Sequence, residues 1–521
     1  MDLTKALSRT YESIDRHLCS LKHPVLTVLI IGLVLRILFL PLTNVDSWGW
    51  YRTGENIVSG DGFYARSGYN YGPAFGYLVS VSLMIGTQLF GVGTFSGQSD
   101  AMIPLQSLFD FTPALQTIGF LASFKFMMVV GDVLCAFLVR WMVAKLTDDQ
   151  SKGDVAFALI FLSPIILVES SIHGMFDIYC GLLALISVYF AAREKYYLAG
   201  LSLGIATLMK IFPVYLFPIL LAFLLKQNRG DSRAIVNGVF MAVLGVLSAF
   251  FLLYYPQLLD GTFSDTWAFL FGRVDSAGGI VGKFAGHIPE LAVGAIVLVA
   301  IIIYIYRRGV GKVEIHLSSM QAIAVMALMV LAVFAGLVFV NGGVENMFSD
   351  LFHTSYIVGI GMQGLALIVS FYLAHKLYYS ELEDQTKLVM MVGTLAVATG
   401  FLWVPMPEYL ILLLPLICVY AMVYDRRYLT PFLLISFGAA FFIIMVEGPA
   451  ALFVSVAQYT DLISIDTVVD LVKAYVSGPG IGDYSLLQVT FCIIGAALQL
   501  IGTILLFVYR FRPFRLEEHR I

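Results

Sequence analysis

The chain has 521 residues, 59% of them hydrophobic and 13% charged, with a net charge of -4 and a mean hydropathy of +0.88. A soluble protein carries about 25% charged residues, so composition excludes a water-soluble globule. The net charge says little, because the placement of charges matters more than their sum.

Apolar runs long enough to span a bilayer recur along the whole length, which predicts an all-α polytopic membrane protein. Residues 1–23 read as an amphipathic helix on the cytoplasmic surface: Leu3, Leu7, Tyr11, Ile14, Leu18 and Leu21 recur at helical spacing between basic residues. About 14 transmembrane helices are expected, at 24–42, 117–144, 155–171, 177–192, 197–209, 212–226, 234–255, 290–306, 319–340, 354–376, 388–404, 408–424, 428–446 and 487–509.

Between the first two lies a long polar loop bearing juxtamembrane helices, including Val45 to Pro73 with its acids, Tyr, Trp and Gly residues. A loop of this length in so apolar a chain is longer than a passive connector needs to be. The apolar stretch Ala74 to Val92 either crosses or lies along the interface. Charge asymmetry decides against a crossing, so the stretch lies flat, or dips in and returns: 23 of the 31 basic residues then fall on one face, the cytoplasmic one. The outer face receives Val45–Gln116, the His173–Asp177 turn, the bend at Lys210, Pro256–Pro289, Asn341–His353, Pro405–Glu408 and Glu447–Tyr484. The last of these holds a surface helix from Ile463 to Val476, with no chemical role to assign.

Four polar constellations follow from that sorting. Asp46, with Trp48, Trp50 and Tyr51 behind it, reads either as an interfacial aromatic belt or as a general base beside sugar-stacking rings. His173 and Asp177 occupy a bilayer-depth turn just after Glu169, Ser170 and Ser171, which is expensive unless it faces a polar cavity. Their i, i+4 spacing could ligate a divalent metal, but no third ligand is evident, so no cofactor is expected. Lys210 interrupts an apolar run before Pro213, and reads as a phosphate clamp or as a snorkelling helix-end Lys. Arg273, Asp275, Lys283 and His287 share a Gly-rich loop, where an Arg fork suits phosphate oxygens. Arg36, Lys125 and Asp132, within or beside spans, read as structural pairs. The five Cys fall mostly in apolar runs without metal spacing and read as core residues.

Taken together, Asp46 through Tyr69-Asn70-Tyr71-Gly72-Pro73, then Ser170, Ser171, Gly174 and Asp177, then Lys210-Ile211-Phe212-Pro213, then Arg273 and Asp275, give four landmarks in order. Their order resembles the GT-C superfamily of polyprenyl- or dolichyl-phosphate-sugar-dependent glycosyltransferases, and looks closest to the first mannosyltransferase of glycosylphosphatidylinositol anchor synthesis. Asn44-Val45-Asp46 stands where that family has Asp-x-Asp.

The resemblance implies a GT-C-like catalytic module at 24–289 and a variable transmembrane module at 290–521, with PEYLILLLP (Pro407 to Pro415) resembling the family more weakly. It implies an inverting hexosyltransferase, a lipid-phosphate-sugar donor, a glycan or glycolipid acceptor, membrane lipid and no nucleic acid as partners, and an outer-face site. Asp46 is the expected base and Asp177 its catalytic companion. Lys210 and Arg273 are expected on phosphate, with His173, Asp275, Tyr71, Trp48 and Glu408 in the substrate site. The chain carries no N-glycosylation sequon and no C-terminal retrieval signal, which leans towards a prokaryotic plasma membrane over the endoplasmic reticulum. A secondary transporter or flippase for a lipid-linked sugar is the rival reading, and a catalytically dead scaffold of the same fold a third.

Overall fold

Long apolar segments satisfy their own backbone only as helices when water is scarce, and the computed structural model is helical almost throughout. It describes residues 16, 20–42, 50, 53, 56–57, 59–60, 69, 71–90, 118–210, 212–261, 263, 366–381, 384–401, 407–481 and 484–511. In chain order these give α1 (Pro24–Leu38), α2 (Pro73–Phe90), α3 (Ile118–Thr147), α4 (Gln150–Phe161), α5 (Pro164–Val168) and a π-helical turn, Glu169–His173. Next come α6 (Asp177–Ala192), α7 (Tyr196–Met209), a 3₁₀ turn (Phe212–Tyr215), α8 (Leu216–Gln227) and α9 (Ser232–Asp260). After α10 (Ala366–Tyr378) follow α11 (Gln385–Phe401), a 3₁₀ turn (Pro407–Leu412), α12 (Leu414–Val423), α13 (Leu429–Glu447), α14 (Val454–Tyr459), α15 (Ile465–Val476) and α16 (Leu486–Phe511). One two-residue antiparallel pair, Gly480–Ile481 with Tyr484–Ser485, precedes α16.

Among the described residues four helices are long and apolar enough to cross a membrane, or five if the bent pair Gln150–Phe161 and Pro164–His173 counts as one. The expected spans 290–306 and 319–340 lie outside the described residues, so a count of fourteen is not reached here. Several of the others are short. The 16 residues of α6 and the 14 of α7 rise about 24 and 21 Å, against a hydrocarbon core of about 30 Å. Both stop early at a polar turn, and those turns carry the candidate site.

Packing is close where glycine permits it. At Gly200 and Gly245 a Cβ would overlap the main chain of the facing helix, so α7 and α9 run side by side at backbone contact, as small residues allow in membranes. The lipid-facing side of α9 keeps Val236, Phe240, Val243, Leu247, Phe251 and Leu252 exposed. The later helices join the same core: Ser163 bonds Ser436 across 2.6 Å, and Gly181 of α6 abuts Leu412 and Pro415.

The contacts of α2 bear on its expected course along the interface. Phe75 packs on Phe124, Ser82 donates to the Ser123 carbonyl, and Gly86 abuts Ser123. Eleven residues of α2 thus advance by a single residue along α3, which is a crossing and no side-by-side span. Its other contacts also fall at helix ends, through Tyr77 to the Leu253 carbonyl at 2.7 Å and Gly72 to Leu208. The helix lies across one end of the bundle.

Two of the three intramembrane charges pair as expected. Arg36 Nη2 and Nε donate to Asp132 Oδ2 at 2.7 and 3.0 Å, and the guanidinium sits 4.1 Å over the Phe161 ring. Lys125 bonds main chain instead: its ammonium, 2% exposed, donates to the carbonyls of Leu40 at 3.0 Å, Leu42, and Ser171 at 2.6 Å. The last carbonyls of a helix lack intrahelical partners, and one cation here serves the end of α1 and the π turn together. Cys135, Cys180 and Cys418 are buried and free, as core residues should be.

Candidate active site

The π turn and a left-handed glycine build the first wall. Glu169 to His173 wind with one extra residue per turn, a geometry found mostly as single bulges and often at functional sites. Gly174 then takes φ 68°, ψ 39°, and a Cβ there would collide with the Phe124 ring. The reversal points α6 back into the bundle with Asp177 as its first residue. His173 Nδ1 lies 3.1 Å from Glu169 Oε1, both side chains deeply buried.

Lys210 forms the second wall. Met209 ends α7, Lys210 adopts extended backbone, and the 3₁₀ turn bearing Pro213 starts two residues later. This is the broken helix that the sequence implies. Its ammonium reaches Asp177 Oδ1 at 2.6 Å. It also lies 3.9 Å from the Tyr409 ring centroid, 5.4 Å from that of Phe176 and 5.8 Å from that of Tyr71. Burial works against the charged form. Asp177, then Tyr409, Tyr71 and Glu408, work for it.

The third wall is aromatic. Gly72 packs on the carbonyl of Leu208, where any side chain would overlap, and Tyr69 closes the turn by donating to the Gly72 carbonyl at 2.6 Å. Tyr71 is thereby set edge-on to Phe176 at 5.1 Å. Phe75 stacks on Phe176 at 3.8 Å, with Trp50 packed behind it at 4.7 Å. The fourth wall comes from the 3₁₀ turn at Pro407, which brings in Glu408 and Tyr409.

Of the residues singled out from the sequence, Asp177, His173, Lys210, Tyr71 and Glu408 come together here. Asp46, Trp48, Arg273 and Asp275 lie outside the described residues. Lys210 was expected on phosphate, yet its charge is already engaged by Asp177 and faced by three rings. Sequence reasoning missed Tyr409 and Phe176; each directly neighbours a residue or motif it did mark. Among the described residues no cluster of three His, Cys, Asp or Glu side chains is arranged for a metal ion.

The family model described as Glycosyltransferase family 87 matches residues 104–333. The chain is a membrane glycosyltransferase. That segment of the glycosyltransferase runs through the π turn, Asp177 and Lys210, and so contributes two of the four walls. No curated protein matches the enzyme.

Proposed function

We propose that the glycosyltransferase is of the GT-C type with about fourteen spans, and that it moves a hexose, mannose foremost, from polyprenyl or dolichyl phosphate to a hydroxyl of a lipid-linked glycan or glycolipid. The catalytic module is 24–289, and 290–521 is a second module that contributes Glu408. The observation that carries the reading is the meeting of Tyr71, Asp177, Lys210 and Glu408, drawn from four distant segments that the sequence marks independently.

A sugar on a lipid phosphate already has a good leaving group. Asp46 takes the proton of the acceptor hydroxyl, and the oxygen attacks the anomeric carbon opposite the phosphate. The anomeric carbon–oxygen bond breaks with its electron pair on the phosphate, giving inversion. Arg273 neutralises the released phosphate, while Asp177 and His173 orient the substrate. Support for the non-cytoplasmic face comes from charge. Arg140, Lys145, Arg193, Lys226, Arg229 and Arg427 all lie at helix ends opposite to the candidate site, in the manner of cytoplasmic loops. A prokaryotic plasma membrane fits this arrangement.

Membranes holding the enzyme, offered a panel of radiolabelled polyprenyl-phosphate sugars, test the proposal. One sugar should transfer, and Asp46→Asn should lower the rate by roughly 10² to 10⁴-fold with expression unchanged. Full activity in Asp46→Asn rejects the base, and no transfer from any lipid-phosphate sugar rejects the donor class.

A further inference from the structure

We propose that Tyr71, Glu408 and Tyr409 form a lip that recognises a neutral, hydroxyl-rich ring, and that the lipid phosphate is held elsewhere. This deepens the proposed function and rests on it. Depth is the first reason. Lys210 and Asp177 are 8% and 2% exposed, whereas Tyr71, Glu408 and Tyr409 are each half-buried. An incoming ligand therefore meets two phenol rings and a carboxylate before it meets the ammonium.

Charge is the second reason. The ring faces of Tyr409, Phe176 and Tyr71 turn negative potential towards Lys210. Each stabilises the cation and repels an approaching phosphate oxygen. Asp177 holds the ammonium directly, and the acidic side chains of Glu408 and Glu169 lie within electrostatic range. Among the described residues the Lys210 charge is thus already matched by Asp177, with two further acidic side chains and His173 beside the pair. A dianion is poorly served there.

Hydrogen bonding is the third. The Glu169 carboxylate is fully buried and, beyond its ion pair with His173, accepts no hydrogen bond among the described residues. Buried acceptors seek donors, and sugar hydroxyls supply them where a phosphate cannot. Phenol rings pack on the apolar C–H face of a pyranose, and Glu408 can accept from adjacent hydroxyls. Lys210 is then a pillar that fixes Asp177 and Tyr409, with phosphate charge left to residues outside this cluster.

The ring could belong to the donor sugar or to the acceptor. Full-length enzyme in nanodiscs, assayed with polyprenyl-phosphate hexoses that differ at one hydroxyl, separates the two. Glu408→Gln and Tyr409→Leu should each lower kcat/KM by roughly tenfold or more, as loss of a hydroxyl partner does. A changed ranking of donors puts the donor ring at the lip; a raised acceptor KM with the ranking intact puts the acceptor there. In both cases the Ki of unglycosylated polyprenyl phosphate should stay within about threefold of wild type, well short of the tenfold expected of a lost hydroxyl contact. A Ki that rises in parallel with the kcat/KM loss overturns the lip, as does a full set of unchanged constants. Should Tyr409→Leu not fold, Glu408→Gln and Tyr71→Phe carry the same comparison. Wild-type enzyme that transfers from no lipid-phosphate sugar overturns the proposed function and the lip with it.

Discussion

Removing either member of the Lys210–Asp177 pair should destabilise the fold, and unequally. The ammonium and carboxylate meet at 2.6 Å with side chains only 7% and 2% exposed, and breaking such a pair from one side costs about 3–5 kcal/mol because a buried charge is stranded. The surroundings decide which side is worse. In Asp177→Asn the stranded ammonium keeps three ring faces and the nearby Glu408. In Lys210→Met the stranded Asp177 is left among two further acids, Glu169 and Glu408, with no ring face turned to its charge. Lys210→Met should therefore cost more by about 1–2 kcal/mol, the worth of one or two desolvated cation–π contacts. The double variant should recover much of the loss, giving a coupling of about 2 kcal/mol or more. Equilibrium unfolding in mixed micelles measures all three. Additive losses, or a costlier Asp177→Asn, would refute the electrostatic reasoning.

Two other substitutions test the frame of the site. Lys125→Met should leave three carbonyls without their buried donor, at about 1–3 kcal/mol each, and Lys125→Arg should restore part of the unfolding midpoint; equal midpoints for Met and Lys would show that the ammonium ties nothing together. Gly174→Ala and Gly60→Ala both place a side chain at positive φ, costing about 1–2 kcal/mol, but only Gly174 also confronts a ring, that of Phe124. Overpacking adds typically 1–3 kcal/mol, so thermal unfolding should rank Gly174→Ala as the more damaging, and a reversed order counts against the π turn as a rigid wall.

The helical class was legible in the apolar runs, and so was the break at Lys210, because a lone cation ahead of a proline divides a stretch that is otherwise continuous. The role of Lys125 was not. Its partners are carbonyls, which every residue owns, so no spacing in the sequence can announce them. Tyr409 escaped for a related reason: it lies some two hundred residues from Lys210, and only the packing of the 3₁₀ turn at Pro407 beside α6 brings the ring to the ammonium. Pairs of opposite charge within facing helices, such as Arg36 and Asp132, announce themselves because an unpaired one would be prohibitively costly in a bilayer.

The shortness of α6 and α7 has a bearing on the lipid. Both are enclosed by neighbouring helices, α6 exposing no side chain and α7 little beyond Leu198, so segments some 6–9 Å shorter than the hydrocarbon layer leave their polar ends recessed below its surface. That recess sets Asp177 and Lys210 below the headgroups, where a substrate anchored in the membrane meets the walls without leaving its leaflet. Bilayers built from progressively longer acyl chains would deepen that recess, and turnover should fall as they thicken.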